Sequence, residues 1–451
     1  MKEERKSQVD EIFETEAGKC IECGNCLYSC PVYQESFDER FVARGRNHLI
    51  RELGLYGNSL SGFQEKGIFD KCLLCGRCVS ACPRGVRNDL VVLAARSELI
   101  RLNGLSLGKS IAFGTLMADK EAMKRAVRFA SRFQWMLPLT KREKRKDFEK
   151  VIRESSKVRH IPNFFLGAAA GRQIPSIARD FLSDTVVERN PGVPREESPK
   201  LRVAYFSGCA TEFVLPHVGR SLISLLNSAG VEVIFPKNQG CCGIAMQANG
   251  DIQTAKAAAL NNFEIFSALD VDMVVTGCAT CGSTLKEGWS NLFTGDPRQQ
   301  DFQEFAEKVR DISELLIDLA DTGRMQFCSV LPPGTRVTYH DPCHLSRYQG
   351  ITEQPRRILR QAFEKDFIEM DERGCCGCGG SFSLHSYELS RRIGKEKIDS
   401  IERTGADLVV NTCPGCMIQL VDGIERRRLP QKVLHLVEVV KPMKENRGGG
   451  R

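Results

Sequence analysis

No run of about 18 apolar residues occurs in this 451-residue sequence, so no membrane-spanning helix is predicted. The opening residues MKEERKSQVDEIFETEAGK are charged and lack the apolar segment of a secretory signal, which predicts a cytoplasmic chain. The GxGxxG fingerprint of dinucleotide-binding folds is also absent, so a flavin or nicotinamide would have to be bound by a partner. The P-loop is missing as well, because GLSLGKS at 104–110 is preceded by asparagine where the first glycine belongs.

Cysteine, in contrast, is abundant, with 20 residues. In a reducing compartment, so many cysteines indicate metal or redox chemistry and not structural disulfides. A chain of this length also exceeds one ordinary hydrophobic core, which predicts two or three domains.

The net charge of +7 belongs to one segment. Residues 120–159 hold 14 lysines and arginines against 5 acidic residues, and the rest of the chain is nearly neutral. This distribution argues against a nucleic-acid partner. The segment Phe113–Leu137 combines aromatic and basic residues, so its apolar side has three alternative contacts: an anionic membrane, a partner protein or the chain's own domains. The first would attach the protein peripherally to the inner face of the membrane.

Two cysteine runs near the N-terminus share the spacing C-x2-C-x2-C-x3-C-P. In this motif three thiolates bind one cubane [4Fe–4S] cluster, and the fourth, followed by proline, binds the cluster of the other run. The predicted ligands of the first cluster are Cys20, Cys23, Cys26 and Cys82. Those of the second cluster are Cys72, Cys75, Cys78 and Cys30. Zinc ribbons are the alternative, but two CxxC pairs suffice for zinc, which has no need of a third cysteine at this spacing.

From Leu201 onward, strand-like apolar runs alternate with helix patterns, which predicts a parallel α/β sheet. The whole pattern occurs twice. LRVAYFSGC, QGCCGIAM and VDMVVTGCATC return as TRVTYHDPC, RGCCGCGG and ADLVVNTCPGC, at offsets of 134 to 135 residues. Two copies indicate a pseudo-twofold pair of modules and not a solenoid, which needs three or more.

Each copy carries five cysteines where a strand passes into a loop. Because parallel strands end at the same sheet edge, these thiols are expected to converge on one metal site per copy. Five sulfurs exceed what one cubane takes, so another cluster geometry is one alternative and a thioredoxin-like CxxC dithiol is a second. The predicted ligands are Cys209, Cys241, Cys242, Cys278 and Cys281 in the first copy and Cys343, Cys375, Cys376, Cys413 and Cys416 in the second.

Other residues near these cysteines carry weaker signals. Cys328 is predicted to be a buried apolar residue, and Cys378, beside the second CCG loop, a spare thiol. His340, Asp341 and His344 flank Cys343, where they either tune the site or hold its loop in place.

The predicted domains follow from these motifs. Residues 1–104 form a two-[4Fe–4S] ferredoxin-like domain of α+β or α-helical class, and residues 105–200 a helical basic linker. Residues 201–330 and 331–445 form two α/β cysteine-rich modules with parallel sheets.

The motifs of the C-terminal half resemble a known family. Residues 201–440 are similar to the paired CCG (cysteine-rich) domains of the heterodisulfide reductase catalytic subunit and of glycolate and lactate oxidase iron–sulfur subunits. YHDPCHLSRYQGI, CCGCGGSFSLHSYELS and TGADLVVNTCPGC look especially like the glycolate and lactate group. With two ferredoxin motifs in front, the layout also resembles the anaerobic glycerol-3-phosphate dehydrogenase C subunit and the heterodisulfide reductase D subunit. Both CxxC pairs are intact, as in heterodisulfide reductase, whose two copies each hold a non-cubane [4Fe–4S] cluster.

This resemblance implies an oxidoreductase subunit with two cubane clusters and one or two further [4Fe–4S] clusters, of cubane or non-cubane geometry. The leading interpretation is electron transfer from an FAD-containing glycolate or lactate dehydrogenase subunit to a quinone, a membrane cytochrome or another carrier. A heterodisulfide-reductase-type catalytic subunit, which cleaves a disulfide in two one-electron steps, is the first alternative. A zinc-dependent nucleic-acid-binding protein is the second. The sequence predicts no catalytic residue.

Overall fold

The computed structural model describes residues 8–56, 67–117, 119–140, 157–162, 171–193, 201–371 and 374–443. Within these ranges, the N-terminal part is helical and the C-terminal part is built on two parallel sheets. This mixture agrees with the predicted fold class. No helix in the described ranges is long and apolar enough to span a bilayer.

Helices make up the described N-terminal part. Their bounds are Gln8–Ile12 with a π-helical continuation Phe13–Ala17, Asn25–Ser29, Pro31–Ser36, Ala43–Tyr56, Arg77–Ser80 and Asn88–Asn103. The last of these buries Val91, Val92, Ala95 and Leu99, which recur at helical spacing and form one apolar face. That face packs beside Phe69, so the second cysteine run is anchored against the longest helix of the domain.

The region predicted as a helical basic linker is helical only up to Met136 in its described part, apart from one later turn. Its helices are Leu107–Ser110 with a π-helical continuation Ile111–Met117, Lys120–Phe133, the 3₁₀ turn Gln134–Met136 and Leu182–Thr185. An antiparallel ladder follows the 3₁₀ turn and consists of β1 (Val158–His160) and β2 (Gln173–Pro175). The backbone N–H of Gln173 donates to Asp422 at 2.7 Å, so the ladder is fixed to the C-terminal part of the chain.

The first module, residues 201–330, contains a five-stranded sheet. Its strands are β3 (Arg189–Asn190), β4 (Leu201–Phe206), β5 (Val231–Ile234), β6 (Met273–Thr276) and β7 (Val309–Asp311). The order across the sheet is β3-β5-β4-β6-β7, and only β3, which comes from the preceding segment, is antiparallel. The helices are Gly208–Phe213, Pro216–Ser228, Ile244–Gln247, Ile252–Ser267, Ala279–Ser283, Trp289–Leu292, Gln299–Glu307 and Ile312–Asp321.

The second module, residues 331–445, repeats this order with a shorter sheet. Its parallel strands β9 (Val337–Tyr339), β10 (Leu408–Asn411) and β11 (Lys432–His435) lie in the order β11-β10-β9. The counterpart of β5 is reduced to a single parallel bridge between Val337 and Phe367. The helices are Cys343–Ser346, Glu353–Phe363, Phe382–His385, Tyr387–Thr404, Pro414–Arg426 and Leu436–Val439.

The two modules form one body. Their buried apolar residues belong to a single continuous core. The strands β8 (Phe327–Ser329) and β12 (Val440–Pro442) pair antiparallel, so the last described strand returns to the junction between the modules. The backbone N–H of Ala279 also donates to the carbonyl of Thr412 at 3.1 Å, which brings the strand ends of the two sheets together.

Candidate metal centres

Two cavities in the N-terminal part are each lined by four of the predicted ligands. The first is lined by Cys20, Cys23, Cys26 and Cys82, and we call it the outer site. The second is lined by Cys30, Cys72, Cys75 and Cys78, and we call it the inner site. Each cavity therefore combines three cysteines of one run with the last cysteine of the other, in the crossed arrangement that the motif predicts. Cys78 also borders the outer site.

Glycines turn the chain around both cavities. Gly24 and Gly76 have φ of +85° and +72°, in the left-handed region that other residues rarely adopt, and a short helix begins directly after each. Space is restricted at Gly76 as well, since a Cβ atom there would lie 3.1 Å from the ring of Tyr348. These positions explain why glycine follows the second cysteine of each run.

The environment of the thiols suits iron–sulfur ligation. Backbone N–H groups of Leu74 and Val86 lie 3.4 Å from the sulfurs of Cys72 and Cys82 and stabilise negative charge there. Burial raises the pKa of Cys75 to about 11, so without a cation this thiol would stay protonated at neutral pH. A metal would replace that proton, and the converging sulfurs with their N–H donors fit such a group.

Two buried arginines hold the loop that precedes Cys72. Arg46 donates to the carbonyls of Ile68 and Lys71 at 3.0 and 3.1 Å. Arg96 donates to the carbonyl of Cys72 at 2.8 Å, to those of Phe69 and Asp70, and to that of Ala248 in the first module at 2.6 Å. Neither arginine was predicted from the sequence. For Arg96 the sequence does contain a signal, because this charged residue interrupts the apolar face of its helix.

In the first module, each cysteine lies just beyond the carboxyl end of a strand. Cys209 follows β4, Cys241 and Cys242 follow β5, and Cys278 follows β6 and begins the helix that contains Cys281. The thiols of Cys241 and Cys281 hold the pKa of Cys242 well below its usual range. A thiolate is the form that binds metals, so the five converging thiols fit the predicted site. A Cβ atom at Gly208 would lie 2.7 Å from the sulfur of Cys281, which leaves room only for glycine.

The second module repeats this arrangement. The sulfurs of Cys376 and Cys416 lie 3.4 Å apart, and the N–H of Gly377 lies 3.3 Å from the sulfur of Cys375. The thiols of Cys375 and Cys416 hold the pKa of Cys376 well below its usual range. Gly377 has φ of +85°, and a Cβ atom there would collide with the carbonyl of Ser390.

The two remaining cysteines lie in different surroundings. Cys328 is half-buried in the β8–β12 ladder, where its sulfur lies 3.7 Å from the carbonyl oxygens of Lys441 and Pro442. The sulfur of Cys378 lies next to the second-module site. A Cβ atom built on Gly415 would lie 4.0 Å from this sulfur and 3.9 Å from the sulfur of Cys413. The prediction that Cys378 is a spare thiol therefore concerns a residue at the edge of the site.

The four sites are contiguous. The hydroxyl of Tyr348 donates to the carbonyl of Leu74 at 3.1 Å, and Arg347 donates to that of Cys75 at 3.3 Å, so the second module contacts the inner site. The hydroxyl of Thr280 in the first module lies 3.3 Å from the sulfur of Cys413 in the second. The order along this row is the outer site, the inner site, the second module and the first module.

The residues that flank Cys343 have distinct surroundings. Asp341 forms an ion pair with the buried Arg356 at 2.6 Å, and Glu369 pairs with the same guanidinium at 2.7 Å. The imidazole of His344 contacts the hydroxyl of Ser283 at 2.8 Å. Asp341 thus holds the loop of Cys343 in place through Arg356, which was not predicted from the sequence. His344 instead contacts the first module.

Comparison with known proteins supports this description. Residues 203–286 and 337–421 match the cysteine-rich (CCG) domain family, and residues 16–86 match the 4Fe-4S dicluster domain family. The chain is 30% identical over 450 residues to the probable glycolate oxidase iron-sulfur subunit of Bacillus subtilis, covering 98% of this chain and 97% of the relative.

Two further relatives differ in how much of them is matched. A fumarate reductase (CoM/CoB) subunit of Methanothermobacter marburgensis is 29% identical over 427 residues, which are 93% of this chain and 71% of the relative. Lactate utilization protein A of Geobacillus thermodenitrificans is 31% identical over 242 residues, which are 53% of this chain and 98% of the relative.

These matches extend over nearly the whole chain and include both groups of cysteine motifs. They identify an iron–sulfur protein with the dicluster and cysteine-rich domains of oxidoreductase subunits. The chain belongs to the family of oxidoreductase iron–sulfur subunits that includes the probable glycolate oxidase iron-sulfur subunit of Bacillus subtilis.

Proposed function

We propose that this chain is the electron-transfer subunit of a flavin-dependent 2-hydroxyacid dehydrogenase complex. It would receive electrons from glycolate or lactate, oxidised on a separate FAD-containing subunit, and deliver them to a quinone or a membrane cytochrome. The contiguous row of four cysteine sites is the observation that carries this proposal, because each site contacts the next through named residues. Bound [4Fe–4S] clusters supply one-electron transfer at such sites, and the protein supplies ligands and spacing.

The proposed cofactors are two cubane clusters in the outer and inner sites and one or two further clusters in the modules. Each N-terminal cavity is lined by the four thiols predicted for one cluster, which is the number a cubane takes, and Cys78 borders both cavities. Each module offers five, and this surplus supports a non-cubane geometry there.

The surface around the outer site supports docking of a protein partner. Cys23 is exposed, whereas the cysteines of the inner site and of the modules are half-buried or buried. Three large apolar side chains of the same segment are exposed to 62%, 85% and 79%, namely Ile21, Tyr28 and Phe37. Exposed apolar residues beside a redox site are typical of interaction surfaces, so we propose that the FAD-containing subunit docks here.

A second surface supports peripheral attachment to the inner face of the membrane. The helix Lys120–Phe133 uses Lys124 and Arg128 to pair with Asp184, at 2.9 and 2.5 Å. On its other side Phe129, Phe133 and Trp135 are exposed. Exposed aromatic residues on a basic helix suit an anionic lipid surface, where a quinone or a membrane cytochrome would be reached.

A heterodisulfide-reductase-type activity is the second candidate, and one observation favours it. A cavity of about 300 Å³ between the N-terminal part and the second module is lined by Cys375, with basic and acidic side chains around it. A substrate that coordinates a cluster would need such access to a module thiol.

Anaerobic purification of the complex through a tag on this chain provides the test. Glycolate or lactate is expected to bleach the visible absorbance of the clusters, and a small disulfide is expected to leave the electron paramagnetic resonance (EPR) spectrum unchanged. The Cys328→Ala variant serves as a control that should bleach normally. A disulfide-dependent change in the spectrum, together with no bleaching by any 2-hydroxyacid, would instead establish the second candidate.

A further inference from the structure

The two modules differ at one buried position beside their thiols. Phe206 ends β4 and His340 directly follows β9, and an offset of 134 residues relates them, as it relates Cys209 and Cys343. Both side chains are buried. In the first module, the ring of Phe206 packs against Phe266 with 5.5 Å between ring centroids. The duplication thus has a hydrocarbon ring in one copy and an imidazole in the other.

The imidazole of His340 faces the second-module site. Its side chain is only 1% exposed, and neither ring nitrogen has a hydrogen-bonding partner among the described residues. One ring nitrogen and the sulfurs of Cys376 and Cys416 all lie within 4.8 Å of one another. The imidazole of His340 also helps to hold the pKa of the Cys376 thiol below its usual range. A buried polar group without a partner is costly, so the retention of His340 indicates a partner on the sulfur side of the ring.

We propose that His340 donates an N–H hydrogen bond to sulfur of the cluster held by the second module, and that this bond raises the reduction potential of that cluster above its counterpart in the first module. The inference rests on the proposed occupancy of the module. Hydrogen bonds to sulfur stabilise the extra negative charge of the reduced state and so raise the potential. A neutral imidazole has one N–H to donate, whereas the phenyl ring of Phe206 has none.

The redox step involves one electron and no bond breaking. The electron arrives from the inner site, which contacts the second module through Tyr348. The proton of the hydrogen bond stays on the imidazole of His340. An electron shared between the modules would consequently reside mainly on the second module, which is the module that borders the cavity of about 300 Å³ at Cys375.

Three variants of the full-length chain test this role, and a fourth, Cys416→Ala, identifies the signal of the second module. His340→Phe installs the residue of the first module, His340→Gln retains an N–H donor, and Phe206→Leu alters the matched position without changing its donors. Iron content and a redox titration followed by EPR are measured on protein purified without oxygen. We expect His340→Phe to keep its iron. We also expect it to lower the midpoint potential of one EPR signal, namely the signal that Cys416→Ala abolishes. His340→Gln should restore part of the shift, and Phe206→Leu should leave that signal unchanged.

Several results would overturn the proposal. An unchanged midpoint in His340→Phe with full iron content would remove the tuning role. Loss of about four iron atoms in both His340 variants would make His340 a ligand and not a donor. If Cys416→Ala loses neither iron nor a signal, the module holds no cluster, and the proposed occupancy fails together with this inference.

Discussion

The imidazole of His435 joins the two modules. Its Nε2 donates to the carbonyl of Gly277 at 2.8 Å, one residue before Cys278, and its Nδ1 accepts from the backbone N–H of Val437 at 3.3 Å. Since both ring nitrogens are used in this way, the neutral imidazole is the form that fits. Burial lowers the pKa of His435 to about 4.

Acid is therefore expected to weaken the joined modules. Between pH 6.5 and 4 the unfolded chain binds a proton at this position and the folded chain does not, so the free energy of unfolding falls as the pH falls. The lowered pKa corresponds to a loss of about 3 kcal/mol over this window. Denaturant unfolding at several pH values should give a flatter pH profile for His435→Gln than for the unaltered protein. The His48→Gln variant, changed at an exposed position, serves as the control. Equal pH profiles for His435→Gln and the unaltered protein would contradict the assignment.

The crossed lining of the N-terminal cavities predicts which cluster each variant loses. Cys30→Ala should remove the EPR signal of the inner site, because Cys30 lines the cavity of Cys72, Cys75 and Cys78. Cys82→Ala should remove the signal of the outer site. Each should lose about four iron atoms, and Cys328→Ala should lose none. Loss of the outer signal in Cys30→Ala would show that each run binds its own cluster.

Arg96 is expected to stabilise the inner site through the backbone. Arg96→Lys removes the planar group that donates to carbonyls of both the N-terminal part and the first module, so some of these buried acceptors lose their partners. We expect the free energy of unfolding to fall by about 2–4 kcal/mol. The EPR signal of the inner site should broaden while that of the outer site stays sharp.

Arg101 provides the matched control. It lies on the same helix as Arg96 but is exposed, and it forms an ion pair with Glu98. Arg101→Lys should change the free energy of unfolding by less than about 1 kcal/mol. Equal effects of the two substitutions would contradict the role of Arg96.

Arg356 and its neighbour Arg357 offer a second matched pair. Arg356 is fully buried and pairs with Asp341 and Glu369, whereas Arg357 forms an exposed pair with Asp321. Arg356→Met leaves the carboxylate of Asp341 without its cation and should cost about 3–5 kcal/mol. Arg357→Met should cost less than about 1 kcal/mol. Urea unfolding followed by circular dichroism measures both, and similar midpoints for the two variants would contradict the prediction.

The sequence predicted those features that spacing encodes. Cysteines two residues apart turn around a common centre within one loop, so the grouping of Cys20, Cys23 and Cys26 needs no knowledge of the rest of the chain. The strand–helix alternation likewise predicted that parallel strands end at one sheet edge, as β4 and β6 do. Both inferences depend on local geometry and on a pattern that is visible in the sequence itself.

Features that depend on distant parts of the chain were not predicted. Nothing in the sequence pairs Arg96 with Ala248, or Tyr348 with Leu74, because these contacts join segments more than 150 residues apart. The sequence also did not predict that Phe367 forms only a single bridge, since the apolar pattern around it is that of a full strand. His340 was noted only for its position beside Cys343, and its lack of a partner became visible in the folded chain.

The exposure of Cys23 has a consequence for handling the protein in air. Oxygen reaches a solvent-facing thiol before it reaches the buried ones, so iron should be lost first from the outer site. Such a preparation would keep most of its colour in the remaining centres while having lost the centre beside the proposed docking surface. Iron content alone would then overstate the fraction of molecules with an intact outer site.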